Sequence, residues 1–193
     1  MLLAHKIELR PKNQEQLDYL NQACGARRHC RNQLLDHFSK PENKWSKKSA
    51  YQYYIKELRA QFPWYADISS RITRNAIDDL DNAFKHFFRR IKEGKKGKKV
   101  GFPKFLKKGK NDSFALREPS KFGINGRLLR IEKLKSLIPM AQQVRFNGTY
   151  KQVNISKRAN KFYVSVLVDT NDYKMPEQTH EIVGVDFGIK DLA

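Results

Sequence analysis

A basic run rich in glycine divides the sequence into two parts with different apolar patterns. Residues 94–110 read GKKGKKVGFPKFLKKGK, and their glycines and proline exclude one continuous helix. Before this run apolar residues recur every three or four positions, as they do in α-helices. After it they alternate with polar residues, as they do in β-strands. The pattern therefore predicts an α+β protein with a domain boundary at the run.

Three helices are predicted before the basic run. Asn13 is a suitable N-cap for the first helix, which extends to about residue 38. Ser46 is the predicted cap of the second helix, and Pro63 ends it. Ser70 begins the third helix, whose apolar residues recur at helical spacing through Ile91. Three helices of this length are enough for a small bundle.

The strands predicted on both sides of the bundle form a barrel. Residues 1–10 alternate, with His5 and Ile7 on the apolar face. Further strands are predicted at residues 113–117, at 121–131 around the Asn125-Gly126 turn, and at 143–146, 151–157 and 161–169. Together they predict an antiparallel β-barrel into which the helical bundle is inserted after the first strand. Residues 181–187 are predicted to form one additional buried strand.

The charge of the chain indicates the chemistry of its partner. Lys and Arg number 39 against 20 acidic residues, a formal net charge of +19. Residues 85–110 hold twelve of these cations and one acidic residue, Glu93. The alternative is a solvated linker, but charge this dense repels itself unless a polyanion is bound, which favours nucleic acid. The candidate phosphate-binding residues are Lys95, Lys96, Lys98, Lys99, Lys104, Lys107 and Lys108, with Phe102 and Phe105 available to stack on bases or to anchor the segment.

Other classes of protein find little support in the sequence. Cys24 and Cys30 lie outside any CxxC pattern, which argues against a zinc site or a disulfide framework. No apolar run approaches the roughly 20 residues of a membrane span, and the start of the chain lacks a signal-peptide pattern. The expectation is a cytoplasmic protein without a membrane partner.

One carboxylate near the end of the sequence suits metal chemistry. Asp186 lies near the end of the predicted apolar strand at 181–187, and Gly188 allows close approach of backbone or substrate. Such an aspartate can hold Mg²⁺, but cleavage with two metal ions needs several carboxylates. Two alternatives remain open. One is an ordinary strand followed by a turn, and the other is the phosphate-binding hairpin of an actin-like or sugar-kinase-like ATPase.

Six segments, taken together and in order, resemble the TnpB (OrfB) family of transposon-encoded RNA-guided DNA nucleases and transposases related to type V CRISPR effectors. The segments are residues 25–34 (GARRHCRNQL), 62–64 (FPW), 80–90 (LDNAFKHFFRR), 98–105 (KKVGFPKF), 112–114 (DSF) and 184–193 (GVDFGIKDLA). The resemblance implies a barrel-like wedge domain (residues 1–10 and 112–172), a helical recognition insert (11–94), a basic linker (95–111) and the start of a RuvC-like, RNase H-type domain (173–193).

The resemblance also implies partners and site residues. The partners would be a guide RNA and duplex DNA with a short adjacent motif, in a prokaryotic, nucleoid-associated protein. Asp186 resembles the family's first catalytic metal ligand, and Mg²⁺ would serve the complete enzyme. The family's other carboxylates and its zinc ribbon have no counterpart among these 193 residues. The expectation is therefore a catalytically incomplete chain that binds no Mg²⁺ tightly, or alternatively a non-cleaving repressor or competitor for the same nucleic acid.

Base contacts are expected on the helical insert. Arg71, Arg74 and Asn75 begin the polar face of the third helix, next to Lys47 and Lys48 at the start of the second. Arg and Asn suit bidentate contacts to guanine and adenine edges, although they also serve as solvated residues at helix starts. Arg28 and Asn32 match the family's RxxxN pattern and suit either helix packing or RNA contact, whereas His29 is expected to be structural.

Overall fold

Residues 1–97 and 100–170 are described by a computed structural model of the chain. The helices are α1 (Gln14–Phe38), α2 (Lys47–Tyr53), α3 (Arg59–Gln61) and α4 (Ser70–Lys92), and a π-helical turn (Tyr54–Leu58) joins α2 to α3. The strands are β1 (Leu2–Leu9), β2 (Ser113–Leu116), β3 (Phe122–Asn125), β4 (Leu128–Ile131), β5 (Ile138–Pro139), β6 (Thr149–Arg158) and β7 (Lys161–Asp169). The mixed composition of helices and antiparallel sheets confirms the coarse prediction.

The helices begin at the predicted caps. The Asn13 side chain accepts the Gln16 N–H at the start of α1, and Ser46 accepts the Ser49 N–H at the start of α2. For α4 the cap is Ser69, one residue before the predicted start, and it accepts the Arg71 N–H. None of the helices in the described ranges is long and apolar enough to cross a membrane.

Two antiparallel sheets replace the predicted closed barrel among the described residues. The first has the strand order β1-β7-β6-β2 and the second the order β3-β4-β5. At one corner the Arg10 N–H donates to Pro139 O at 2.7 Å and the Ala141 N–H donates to Glu8 O at 2.8 Å, which joins β1 to the β5 segment. Because β2 and β3 belong to different sheets, the strands do not close into a barrel.

The strand predicted at residues 143–146 is wrong. Val144 and Phe146 are partly buried against the core, as their alternation indicates. The backbone N–H of Arg145, however, donates to Nδ1 of His5 at 3.2 Å instead of to another strand. This segment therefore follows the surface of the sheet without extending it, and β5 lies earlier in the chain.

Helix α1 joins two hydrophobic cores. Its first half contributes Leu20 and Cys24 to the core beneath the sheets, where Val164 and Val166 are fully buried. Its second half contributes Leu34 to the core of the helical insert, together with Leu58, Leu80 and other residues of the α2 and α4 segments. The insert therefore packs through α1 onto the sheets and holds a defined position relative to them. Cys24 and Cys30 are both free and buried.

Candidate nucleic-acid interface

The basic linker (residues 95–111) is fixed along helix α1 by hydrogen bonds to its backbone. The Asn32 side chain donates to Leu106 O at 3.0 Å and accepts the Leu106 N–H at 2.9 Å. Nη1 of Arg31 donates to Lys104 O at 2.7 Å. These bonds satisfy main-chain groups of Lys104 and Leu106, and the side chains of Lys104, Lys107 and Lys108 are exposed. The linker is thus part of the folded surface.

The linker is also held at the end of α4. The Phe102 ring packs edge-on against Phe84 and Phe87, with centroid distances of 5.8 and 5.1 Å. Nη1 of Arg90 donates to Val100 O at 3.4 Å. Phe102 therefore anchors the segment, the second of the two roles that its sequence context suggested, while 46% of it is still exposed. Phe105 is 54% exposed, which leaves its ring available for stacking.

Most of the predicted linker lysines in the described residues are exposed. Lys104, Lys107 and Lys108 are exposed and form no ion pair within residues 1–97 and 100–170, whereas Lys95 pairs with Glu93 at 3.1 Å. Lys96 is exposed as well. Lys98 and Lys99 lie outside the described residues. Ammonium groups without an ion pair on a fixed backbone are suited to phosphate contacts, because the main chain loses little conformational entropy on binding.

The five predicted residues of the helical insert line one pocket of about 490 Å³. Lys47 and Lys48 come from α2, and Arg71, Arg74 and Asn75 come from α4. Sequence reasoning foresaw this grouping but missed the other polar residues of the pocket, namely Tyr51, Asp78 and Glu118. Each of these three residues contacts one of the cations of the pocket.

Carboxylates neutralise part of this pocket. Nζ of Lys47 lies 2.6 Å from Asp78, whose hydrogen bond and charge raise the pKa of Lys47. Nε of Arg71 lies 2.9 Å from Glu118. Lys48 forms no ion pair among the described residues. The pocket is therefore less positive than its cations alone suggest, and its long side chains are held in place.

Arg74 and Asn75 differ sharply in their surroundings. Nη2 of Arg74 donates to Tyr51 Oη at 2.6 Å, and the guanidinium lies 5.2 Å from the centroid of that ring. Nε of Arg74 is buried and has no hydrogen-bond partner among residues 1–97 and 100–170. Asn75 is buried, and its amide donates to Ala115 O of β2 at 2.9 Å. Both residues line the pocket, but the bond to Ala115 uses one N–H of the Asn75 amide, whereas the Arg74 guanidinium is held only by a side chain.

The residues of the RxxxN pattern bind the linker and its end. Arg28 pairs with Asp112, and Asn32 holds Leu106. Neither role is packing against another helix, the alternative that sequence reasoning considered. Nδ1 of His29 lies 2.7 Å from Tyr65 Oη, and its ring meets Phe62 edge-on, in agreement with the structural role expected for it. Burial and the charge of Arg28 lower the pKa of His29.

Asp186, the predicted metal ligand, lies outside the described residues, as does the strand predicted at 181–187. Within residues 1–97 and 100–170, no three His, Cys, Asp or Glu side chains are grouped so as to hold a metal ion.

The described residues thus define the class of protein: it is an α+β protein in which a helical insert and antiparallel sheets carry a basic surface that is fixed to the fold. No family model matches the sequence. The chain is similar to InsQ of Escherichia coli (strain K12), a protein named as an RNA-guided DNA endonuclease, with 25% identity over 197 aligned residues. The alignment covers 100% of this chain and 46% of InsQ, so the chain spans about half the length of this relative.

Proposed function

We propose that this chain binds nucleic acid, guide RNA and target DNA, as part of a TnpB-type RNA-guided DNA endonuclease. The observation that carries the proposal is the basic linker fixed on α1 by Asn32 and Arg31, with Lys104, Lys107 and Lys108 exposed. A polyanion bound along it would relieve the repulsion between these charges. Similarity to InsQ over the whole chain supports the same assignment.

The proposal assigns different roles to two surfaces, the basic linker and the pocket between α2 and α4. The linker lysines contact phosphates and supply affinity that does not depend on sequence. The pocket between α2 and α4 presents Lys48 and Arg74 to base edges of the DNA beside the target. Asp186 is proposed as a ligand of Mg²⁺ in the cleavage step, supported by its place near the end of the predicted apolar strand, in the segment GVDFGIKDLA.

A salt titration tests the proposal. The exchange of Lys95, Lys96, Lys98 and Lys99 for Gln removes four charges, and each lost phosphate contact should flatten the plot of log K against log salt by about 0.7 for single strands and 0.9 for duplexes. An equally charged control exchanges Lys56, Lys133, Lys135 and Lys151, which lie away from the linker in the sequence. The proposal fails if both quadruple variants keep the parental slope and affinity.

The role of Asp186 is tested separately. Asp186→Ala should leave the affinity and the salt slope unchanged, because metal ligands for cleavage are not phosphate-binding cations. The polypeptide of 193 residues should bind without cutting labelled target DNA in the presence of guide RNA and Mg²⁺, since one carboxylate cannot position both the attacking and the leaving oxygen. Cleavage by the parent that is lost in Asp186→Ala would contradict this expectation.

A further inference from the structure

A groove of about 770 Å³ lies where helix α1, the end of the basic linker and the β6–β7 hairpin meet. Asn21 and Arg28 of α1 form one wall, residues 108–112 form the second, and residues 157–160 of the hairpin form the third. The hairpin residues lie far from the linker in sequence, and charge patterning along the chain did not single them out. Only the fold brings them beside the linker.

The groove carries a net positive charge that the described residues do not neutralise. Its five cations are Arg28, Lys108, Lys110, Lys157 and Arg158, and its one carboxylate is Asp112. Asp112 is already used, because it pairs with Arg28 and accepts the Gly109 N–H at 2.9 Å. The other four cations form no ion pair within the described parts of the chain.

The walls of the groove are built before any ligand arrives. The bond from Gly109 to Asp112 closes the turn at the end of the linker, where Gly109 and Asn111 have φ values of 79° and 59°. The hairpin turn at Ala159 and Asn160 also has positive φ at both residues, the geometry of a two-residue type I′ turn. Nζ of Lys157 donates to Asn21 Oδ1 at 2.9 Å, which links the hairpin to α1. The cations are therefore displayed on fixed elements.

We infer that this groove binds the sugar-phosphate backbone of a nucleic-acid strand that continues from the basic linker. This inference rests on the proposed function and adds to it a second phosphate-binding site, with Lys110, Lys157 and Arg158 as new contact residues. Lys108 belongs both to the linker and to the groove, so a strand that follows the linker reaches the hairpin.

The composition of the groove favours the backbone over the bases and over a small anion. Among the described residues that line it there is no aromatic ring, so stacking on bases is not offered there. The side chains of Asn21, Asn111 and Asn160 supply neutral hydrogen-bonding groups suited to sugars and phosphates. A single phosphate carries about two negative charges at most, which would leave part of the four free cations unneutralised.

The test is a salt titration of the variant Lys110→Gln/Arg158→Gln with a labelled single-stranded RNA and a labelled DNA duplex of mixed sequence. Both exchanged residues are exposed and unpaired in the described structure, so the fold should be retained. The slope of log K against log salt should flatten by about 1.4 for the RNA or about 1.8 for the duplex. The conservative variant Arg158→Lys should keep the parental slope.

The matched control is Lys133→Gln/Lys135→Gln, which removes the same charge; both residues are exposed on the segment between β4 and β5 and form no ion pair among the described residues. The inference is overturned if the groove variant and the control give equal slopes with both probes. It is also overturned if the groove variant loses binding of inorganic phosphate, at matched ionic strength, while its affinity and salt slope for the RNA and the duplex stay parental, because the site would then be one for a small anion. If the linker variant loses affinity while the groove variant does not, the proposed function stands and only the groove fails.

Discussion

The Asn32 side chain forms a pair of hydrogen bonds with the backbone of Leu106, giving one and accepting the other, at 3.0 and 2.9 Å. The two residues are 74 positions apart in the chain. This arrangement resembles the pairing of two neighbouring strands, except that a side-chain amide stands in for one of them. It fixes the middle of the basic linker against α1, and it places Lys104 and Lys107 on either side of the attachment.

Replacing Asn32 should release the linker. Asn32→Ala removes both bonds and leaves the Leu106 N–H and C=O without protein partners, which we expect to lower the free energy of unfolding by about 1–3 kcal/mol. Asn32→Asp keeps the acceptor for the Leu106 N–H but sets a carboxylate oxygen against Leu106 O, so it should weaken the attachment as well. Chemical denaturation measures the stability, and limited trypsin digestion measures cleavage at the linker lysines.

The control for this prediction is Gln33→Ala, the adjacent amide on α1, which faces His29 instead of the linker. It should leave the digestion pattern unchanged. If Asn32→Ala is cleaved in the linker no faster than the parent under native conditions, the amide pair does not hold the segment.

Arg74 and Asn75 should respond differently to substitution, because only one of them has its polar atoms engaged by a neighbouring strand. Arg74→Ala should relax DNA sequence preference more than it lowers affinity, since base contacts specify and phosphate contacts position. Asn75→Ala should lower the free energy of unfolding by about 1–3 kcal/mol, because Ala115 O loses its partner. Selection from a randomised duplex library measures preference, and denaturation measures stability.

Tyr51→Phe is the matched variant for Arg74. It removes the hydroxyl that accepts from Nη2 at 2.6 Å but keeps the ring beneath the guanidinium. We expect a weaker loss of preference than for Arg74→Ala. A uniform loss of affinity across all sequences in Arg74→Ala would assign Arg74 to phosphate or structural contacts instead.

Local signals in the sequence predicted the elements well where the determinants are close in the chain. The Asn13 cap, the length of α1 and the strands predicted at 151–157 and 161–169 depend on neighbouring residues, and all are present. The closed barrel was not obtained because strand patterns do not specify which strands pair, and β2 pairs with the distant β6 instead of with the following β3. Burial at Val144 and Phe146 followed the alternation, but hydrogen bonding there involves the distant side chain of His5.

The candidate site was predictable in composition but not in arrangement. The density of lysines identified the linker as a candidate site. Helical spacing placed Arg71 and Arg74 on one face of α4, and the predicted start of α2 placed Lys47 next to them. The pairing of Lys47 with Asp78 and of Arg71 with Glu118 depends on contacts 31 and 47 residues apart in sequence, which no local pattern reveals. The same holds for the hairpin cations at Lys157 and Arg158, which stand beside the linker only after the sheet has formed.

The stability of the chain should fall as the pH drops below about 6.5, and His5 should account for part of this loss. His5 is buried on β1, where Nδ1 accepts the Arg145 N–H at 3.2 Å and Nε2 lies 3.1 Å from the side-chain amide of Gln142. A proton added to Nδ1 would break the first bond. Burial, and then the charge of Arg145, lower the pKa of His5 below its ordinary value of 6.5.

The sign of the effect follows from proton uptake. Below the unfolded pKa the unfolded chain binds a proton that the folded chain does not, so the stability is complete above about pH 6.5 and is lost as the pH falls toward the folded pKa. The slope is at most about 1.4 kcal/mol per pH unit for each histidine. The pKa values of His29 and His37 are also lowered, chiefly by burial, so they act in the same direction.

Denaturation curves measured between pH 7.5 and 5.5 test this prediction, because Glu132, whose pKa is lowered from 4.5, titrates below that range. His5→Gln should give a shallower decline in stability with falling pH than the parent, whatever its stability at pH 7.5. His86 is exposed on α4, and His86→Gln serves as the control that should keep the parental slope. Parallel pH profiles for the parent and His5→Gln would mean that His5 has the same pKa in the folded and the unfolded chain. The prediction that burial and Arg145 make protonation of His5 costly in the folded chain would then be wrong.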